Sequence, residues 1–194
     1  MHVLTAEDHP LFARLSHYIN LISIIVLGVT GFIIHSPGPG IGMDNVRNIH
    51  FIFAYIFLIN GIVRVYYAIF GKNKDYKQFL FNKKDYANFG AVIKYYLFLG
   101  PHPDTGMYNP LQKSAYLALP ILGIIQTITG LGLYRPAVFV GIVNFFGGLE
   151  ILRSTHYLVT WLFIAIVIVH LYLALTETFD ATKYMLFGTI RGKK

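Results

Sequence analysis

Four long apolar runs organise the chain. Each is close to the roughly 20 residues that a helix needs to cross a bilayer. They extend over Leu15 to Ile34, Ile49 to Phe70, Ser114 to Tyr134 and His156 to Thr176. The third run stops at Arg135-Pro136, a natural helix terminator. Pro120 inside it is expected to bend or loosen its early turns. Two shorter apolar pieces remain. Tyr86 to Leu99 is aromatic and interrupted by Lys94, which suits a helix lying at the membrane interface. Ala137 to Gly148 is glycine-rich and reads as a second interfacial or re-entrant element. No internal repeat is evident. The pattern predicts an all-α fold, an integral membrane four-helix bundle with interfacial helical segments, as a single domain over residues 1–194.

Composition sharpens this picture. Hydrophobic residues make up 55% of the 194 and charged residues only 13%, against about 25% charged in a typical soluble domain. The mean hydropathy is +0.56. A disordered chain is excluded, and a water-soluble globule does not fit. There is no cysteine, which removes disulfides, thiolate nucleophiles, cysteine-ligated iron–sulfur clusters and cysteine-type zinc sites. Iron, if held, falls to histidine.

The net charge of +7 is better read as loop orientation than as an affinity for nucleic acid. The segment between runs two and three carries Lys72, Lys74, Lys77, Lys83, Lys84, Lys94 and Lys113. The C-terminal tail adds Lys183, Arg191, Lys193 and Lys194, and the N-terminal side adds Arg14. The opposite side has Arg47, Arg135 and Arg153. The positive-inside rule then places both termini in the cytoplasm, in the inner (cytoplasmic) membrane of the cell. No charged segment, short apolar core and small-residue cleavage site open the chain, so the first run is expected to be retained as a span.

Of eight histidines, His2, His9, His35 and His102 fall in the tail or loops. His17, His50, His156 and His170 lie within or at the ends of the spans, where ionisable groups are costly and tend to be functional. His170 follows His156 by fourteen positions, about 21 Å along a helix and about 40° short of four full turns. The two share one face at opposite depths. His50 matches the depth of His156, and His17 that of His170. Two cross-helix pairs follow: His50 with His156 outside, His17 with His170 inside. Facing histidines can clamp an iron porphyrin from both sides, and neutral imidazole avoids burying a charge.

Other residues agree. Arg64 follows His50 by the same fourteen positions, at inner depth, where a haem propionate would answer its charge. Arg14, Arg47 and Arg153 lie within one turn of a proposed ligand. Gly31, fourteen residues after His17, and Gly28 fall near the His17 face at outer depth, where a porphyrin edge can approach the backbone. Gly123 and Gly130 share a face with Thr127. Tyr66, Tyr67, Tyr95 and Tyr96 suit an interfacial aromatic belt.

On these residues the chain resembles the b-type cytochrome subunit of membrane-bound NiFe-hydrogenases over nearly its whole length. The family's opening motif stands here as Arg14-Leu15-Ser16-His17, with serine in place of the common aromatic. The second-span signature is Arg47-Asn48-Ile49-His50-Phe51, followed by Asn60 and Arg64-Val65-Tyr66. Gly106-Met107-Tyr108-Asn109-Pro110-Leu111-Gln112 is similar to the family's loop phrase, with tyrosine replacing histidine at 108. Thr129-Gly130 precedes Tyr134. Then come Arg153-Ser154-Thr155-His156, with Tyr157 in place of a second histidine, and His170-Leu171-Tyr172-Leu173-Ala174.

The resemblance implies a membrane anchor and electron-transfer subunit with two haem b. Electrons would pass from a hydrogenase's small and large subunits on the outer face, through both haems, to quinone near Arg14 and His17. Docking would use residues 35–48 and 135–155, Asn144 to Glu150 among them. Hydrogen chemistry would belong to partner chains, so whether this chain counts as an enzyme stays open. The membrane subunit of formate dehydrogenases is the alternative. A proton or metal transporter would need clustered ligands, whereas the depths separate these histidines. A stand-alone quinol or ferric reductase would share the haem wire but lack a partner.

Overall fold

The computed structural model describes residues 11–71, 76–101, 103–105, 109–176 and 179–187. His2, His9, His102, Lys72, Lys74, Arg191, Lys193, Lys194 and the Gly106-Met107-Tyr108 part of the loop phrase lie outside the described residues. Among those described, every element is a helix. In chain order they are α1 (Leu11–His35), α2 (Met43–Phe70), α3 (Tyr76–Phe79), α4 (Lys83–Tyr96), α5 (Pro110–Tyr134), α6 (Val140–Phe145), α7 (Leu149–Thr176) and α8 (Phe179–Phe187).

Four of these, α1, α2, α5 and α7, are long and apolar enough to cross a membrane. The protein is an all-α, multi-pass membrane protein. Each long helix ends within a residue of the apolar run that predicts it, but begins four to seven residues earlier. The added turns are polar: Asp44, Asn45 and Arg47 in α2, Glu150 and Arg153 in α7. Hydropathy marks only the hydrocarbon-matched part of a helix, and polar residues prolong the helix beyond it. α5 continues unbroken through Pro120. α4 occupies the expected interfacial segment, whereas the 137–148 piece contains only the short α6. Gly147 (φ 82°) and Gly148 (φ 117°) then turn the chain into α7, a conformation that only glycine adopts at low cost.

Packing divides the chain into two compact units, one built from α1 and α2, the other from α3 to α8. In the first, α1 and α2 run antiparallel. Phe12 and Tyr67 stack at one end with ring centroids 4.5 Å apart. Near the middle, Asn60 Nδ2 donates to Ser16 O at 2.9 Å and to Asn20 Oδ1 at 2.7 Å. Thr30 meets His50 at the other end. The buried residues of α1 are Ala13, Ser16, Ser23 and Thr30. Three of them recur every seven residues on one face. Small side chains of this kind let membrane helices approach closely, where packing rather than hydrophobicity drives association.

In the second unit α5 and α7 are likewise antiparallel. The Gln126 side-chain amide and Thr160 Oγ1 hydrogen-bond at 2.7 Å, and Gly132 admits Leu152, which is fully buried. Two capping boxes fix the approach to α5. Asn109 Oδ1 accepts from the Gln112 amide while Gln112 Oε1 accepts from that of Asn109, with Pro110 at the first helical position. Asn82 and Asp85 repeat the arrangement at the start of α4. Such reciprocal caps satisfy amides that a helix start leaves unpaired. Asn109 Nδ2 also donates to Tyr96 Oη at 2.9 Å, tying the end of α4 to the start of α5.

Candidate functional site

The two units carry the four span histidines in the same manner, two apiece and one near each end. In the first unit, His50 lies seven residues into α2, and its Nδ1 is 2.9 Å from Thr30 Oγ1 on α1. Thr30 Oγ1 is itself 2.6 Å from Val26 O, one turn back. The next residue, Gly31, lies under the ring. A Cβ there would stand 3.5 Å from His50 Cε1.

The second unit repeats this. His156 Nδ1 is 2.7 Å from Thr129 Oγ1 on α5, and Thr129 Oγ1 is 2.7 Å from Ile125 O. A Cβ on Gly130 would stand 3.4 Å from His156 Cε1. In both units a Thr-Gly dipeptide on the earlier helix cradles a histidine of the later one. Within its unit, the missing side chain of Gly31 therefore makes room for the His50 imidazole itself, where the sequence suggested a porphyrin edge. The space beside Gly28 is open.

The other two histidines lie toward the opposite ends. His17 sits on α1 between the Phe12–Tyr67 stack and the Asn60 bonds, with its ring edge-on to Tyr18 at 6.4 Å. Arg64, one turn beyond Asn60 on α2, occupies that same end, its guanidinium 6.0 Å from the centre of the Tyr67 ring. His170 packs edge-on against Tyr116 of α5, centroids 5.8 Å apart. All four histidines are half-buried. Because α7 is unbroken, His156 and His170 share a face about 21 Å apart along it. His17 and Thr30 are thirteen residues apart on α1, about 20 Å. Each unit thus places its two histidines at two levels of matching separation.

Of the flanking cations, Arg14 and Arg64 are half-buried, whereas Arg47 and Arg153 are exposed at the polar extensions of α2 and α7. Asn144 and Glu150 are also exposed. Lys113, counted by sequence among the loop cations, is instead in the first turn of α5 with its ammonium 2.7 Å from Asp85. Sequence reasoning missed Thr30, Gln126, Thr160 and Tyr116 as neighbours of the histidines. The available signal was the Thr-Gly pair occurring at both 30–31 and 129–130.

This donor set fits an iron porphyrin. Imidazoles are offered one to a level in each unit, with the ring nitrogens Nδ1 of His50 and His156 already engaged by protein. Among the described residues no three histidine, aspartate or glutamate side chains converge as they would around a lone metal ion.

The chain is 30% identical over 201 residues to a probable Ni/Fe-hydrogenase B-type cytochrome subunit of Azotobacter vinelandii, covering 92% of this chain and 84% of that one. Similar subunits of Cupriavidus necator and Escherichia coli K12 are each 30% identical over 84% of the chain, covering 76% and 80% of their own lengths. Residues 8–188, which include all four span histidines and both Thr-Gly pairs, match the model of one family, and the chain belongs to it: the prokaryotic cytochrome b561 family.

Proposed function

We propose that this b-type cytochrome anchors a NiFe-hydrogenase to the cytoplasmic membrane and carries its electrons, through two haem b, to the quinone pool. One observation carries the reading: each helix unit holds two histidines at two levels about 20 Å apart. His50 and His156 would hold an outer haem, and His17 and His170 an inner one. Haem b, when bound, supplies a one-electron carrier whose potential answers to its axial ligands and their surroundings.

The chain's own residues do the rest. The imidazoles would hold the iron as neutral donors and so bring no charge into the bilayer. Arg64 and Arg14 offer cations to propionates at the inner level. Arg47 and Arg153 do so at the outer level, from the exposed helix extensions. Small residues hold α1 against α2 and α5 against α7, so the ligands keep their spacing. Quinone meets the inner level near Arg14, His17 and the end of α2. The basic residues between α2 and α5 and in the tail favour cytoplasmic termini. The opposite face, with the segments 35–48 and 135–155, then receives the hydrogenase small and large subunits. The similar proteins are named as Ni/Fe-hydrogenase subunits, which supports a hydrogenase as the partner.

The test is a reduced-minus-oxidised spectrum of the purified complex with haem quantified per chain. Two low-spin b-type haems per polypeptide, reduced when hydrogen is added, are expected. A folded preparation without haem would overturn the reading. Haems that stay oxidised beside an active hydrogenase would overturn the partner.

A further inference from the structure

The two threonines that touch histidine rings have their hydroxyl protons already committed. Thr30 Oγ1 lies 2.6 Å from Val26 O, and Thr129 Oγ1 lies 2.7 Å from Ile125 O. Two oxygens do not approach this closely unless a proton lies between them. A carbonyl has none to give, so each threonine donates to its own helix backbone. What each Oγ1 has left is a lone pair. A ring nitrogen at 2.9 Å (His50) or 2.7 Å (His156) must then be the donor. These bonds favour the Nδ1–H tautomer in both imidazoles, with the lone pair on Nε2. A histidine has only these two neutral forms, and hydrogen-bond accounting selects one of them most clearly at His50.

We infer that Thr30 and Thr129 are positioning residues that hold His50 and His156 as Nδ1–H tautomers with Nε2 turned to iron, and that their hydrogen bonds lower the potential of the haem these histidines bind. This rests on the reading of His50 and His156 as axial ligands. An Nδ1–H that donates to oxygen gives the imidazole part of the character of its anion and makes Nε2 a stronger donor. A stronger donor favours ferric over ferrous iron, so the potential falls. Gly31 and Gly130 complete the device. With no side chain beneath Cε1, the ring can sit close enough to the helix to reach the hydroxyl of the preceding residue.

The two copies are not equal. The Gln126 side-chain amide lies 2.9 Å from His156 Nδ1 and 2.7 Å from Thr160 Oγ1. Its hydrogen bonds are best satisfied with the NH2 toward the ring, donating to His156 Nδ1 and, at 3.2 Å, to His156 O, and the oxygen accepting from Thr160 Oγ1, so Gln126 competes with Thr129 for the same ring nitrogen. His156 Nδ1 therefore has a second polar partner besides Thr129, which His50 lacks among the described residues. Thr30 is the cleaner site for substitution.

The experiment uses the intact complex carrying Thr30→Val, Thr30→Ser or Thr129→Val, with His50→Ala as the ligand control. Potentials are read by redox titration in the visible region, and axial-ligand character by EPR of the ferric haems. His50→Ala should lose one haem; if both haems and their spectra are kept, the ligand reading itself fails. Given that loss, Thr30→Val, which keeps the shape and removes the acceptor, should shift one haem to more positive potential and alter its EPR signal. Thr30→Ser should restore both, and Thr129→Val should shift less than Thr30→Val. An unmoved potential and EPR signal in Thr30→Val would overturn the inference while leaving ligation intact. Should Thr30→Val yield no folded protein, the unmodified complex decides. An exchangeable Nδ1 proton on each outer-haem ligand, detected by pulsed EPR in D2O, is expected, and its absence would equally overturn it.

Discussion

Lys113 Nζ lies 2.7 Å from Asp85 Oδ2, joining the first turn of α5 to the first turn of α4 in an ion pair whose side chains are only 9% and 8% exposed. Asp85 is at the same time the third residue of the α4 capping box. One carboxylate therefore both starts a helix and fastens it. Lys113→Met should loosen α4, because the carboxylate stays buried without its cation. The expected cost is about 2 kcal/mol, typical of a hydrogen bond to a charged group. Trypsin cleavage at Lys83 and Lys84 in detergent should accelerate. Lys113→Met with Asp85→Asn should recover part of the loss, since the neutral amide retains a capping oxygen. Cleavage at the unmodified rate in Lys113→Met would mean that α4 is held by other contacts.

The same pair sets a pH response. Burial pushes the Asp85 carboxyl up, but the Lys113 hydrogen bond, the Asn82 backbone amide and the Lys113 charge together outweigh it, and the net result lies below the ordinary carboxylate value. A group whose pKa is depressed by folding stabilises fully above its unfolded pKa. That stability is lost as pH falls through the folded value. Attachment of α4 should thus be flat from about pH 5 upward and weaken only in stronger acid. Proteolysis at Lys83 and Lys84 by an acid-tolerant protease, followed across pH, checks this. Loosening already near neutrality would contradict it.

Gly132 marks a tight contact in the second unit. A Cβ there would stand 2.8 Å from Leu152 Cδ2 and 3.0 Å from Ile142 Cγ2. Leu152 is fully buried and has little room to yield. Gly132→Ala should destabilise by about 1–3 kcal/mol, as overpacking does. The added Leu152→Val should return part of it. Thermal denaturation of the two variants in detergent gives the comparison.

Asn60 is a second polar tie between α1 and α2 besides Thr30–His50, with one NH2 serving both Ser16 O and Asn20 Oδ1. Bonds between membrane helices are modest, averaging about 0.6 kcal/mol. Asn60→Leu should lower thermal stability slightly, and Asn20→Leu should add little to it. Additive losses would show that the two asparagines act apart.

Much of this was legible in the sequence, and the rest was hidden for physical reasons. The four spans stood out because apolar runs of bilayer length admit few other readings. Their far ends were marked by breakers such as Arg135-Pro136. Their starts were not, because Asp44, Arg47, Glu150 and Arg153 are polar yet helical. The histidine levels followed from a spacing of fourteen within one helix. Thr30 and Thr129 stayed hidden because their partners are 20 and 27 residues away, across connections of different length, and a Thr-Gly pair in a span ordinarily reads as packing. Lys113 looked like a loop cation for the same reason: Asp85 is 28 residues distant. The capping boxes Asn82-x-x-Asp85 and Asn109-x-x-Gln112 emerge only with the fold, as does the bond from the first of them to α5.

The two-level arrangement makes a prediction that separates ligation from folding. His170 lies about 21 Å along α7 from His156 and packs on Tyr116, well away from Thr129. His170→Ala should abolish the inner haem and spare the outer one, so the haem content of the purified protein should fall by half. His156→Ala should give the complementary result, and the two residual spectra should add to that of the unmodified protein. His170→Met supplies the control for packing. It fills the volume beside Tyr116 and can ligate iron through its thioether, so it should keep a haem at a more positive potential. Loss of both haems in His170→Ala but of neither in His170→Met would mark a folding effect. An unchanged spectrum in both would remove His170 from the ligand set.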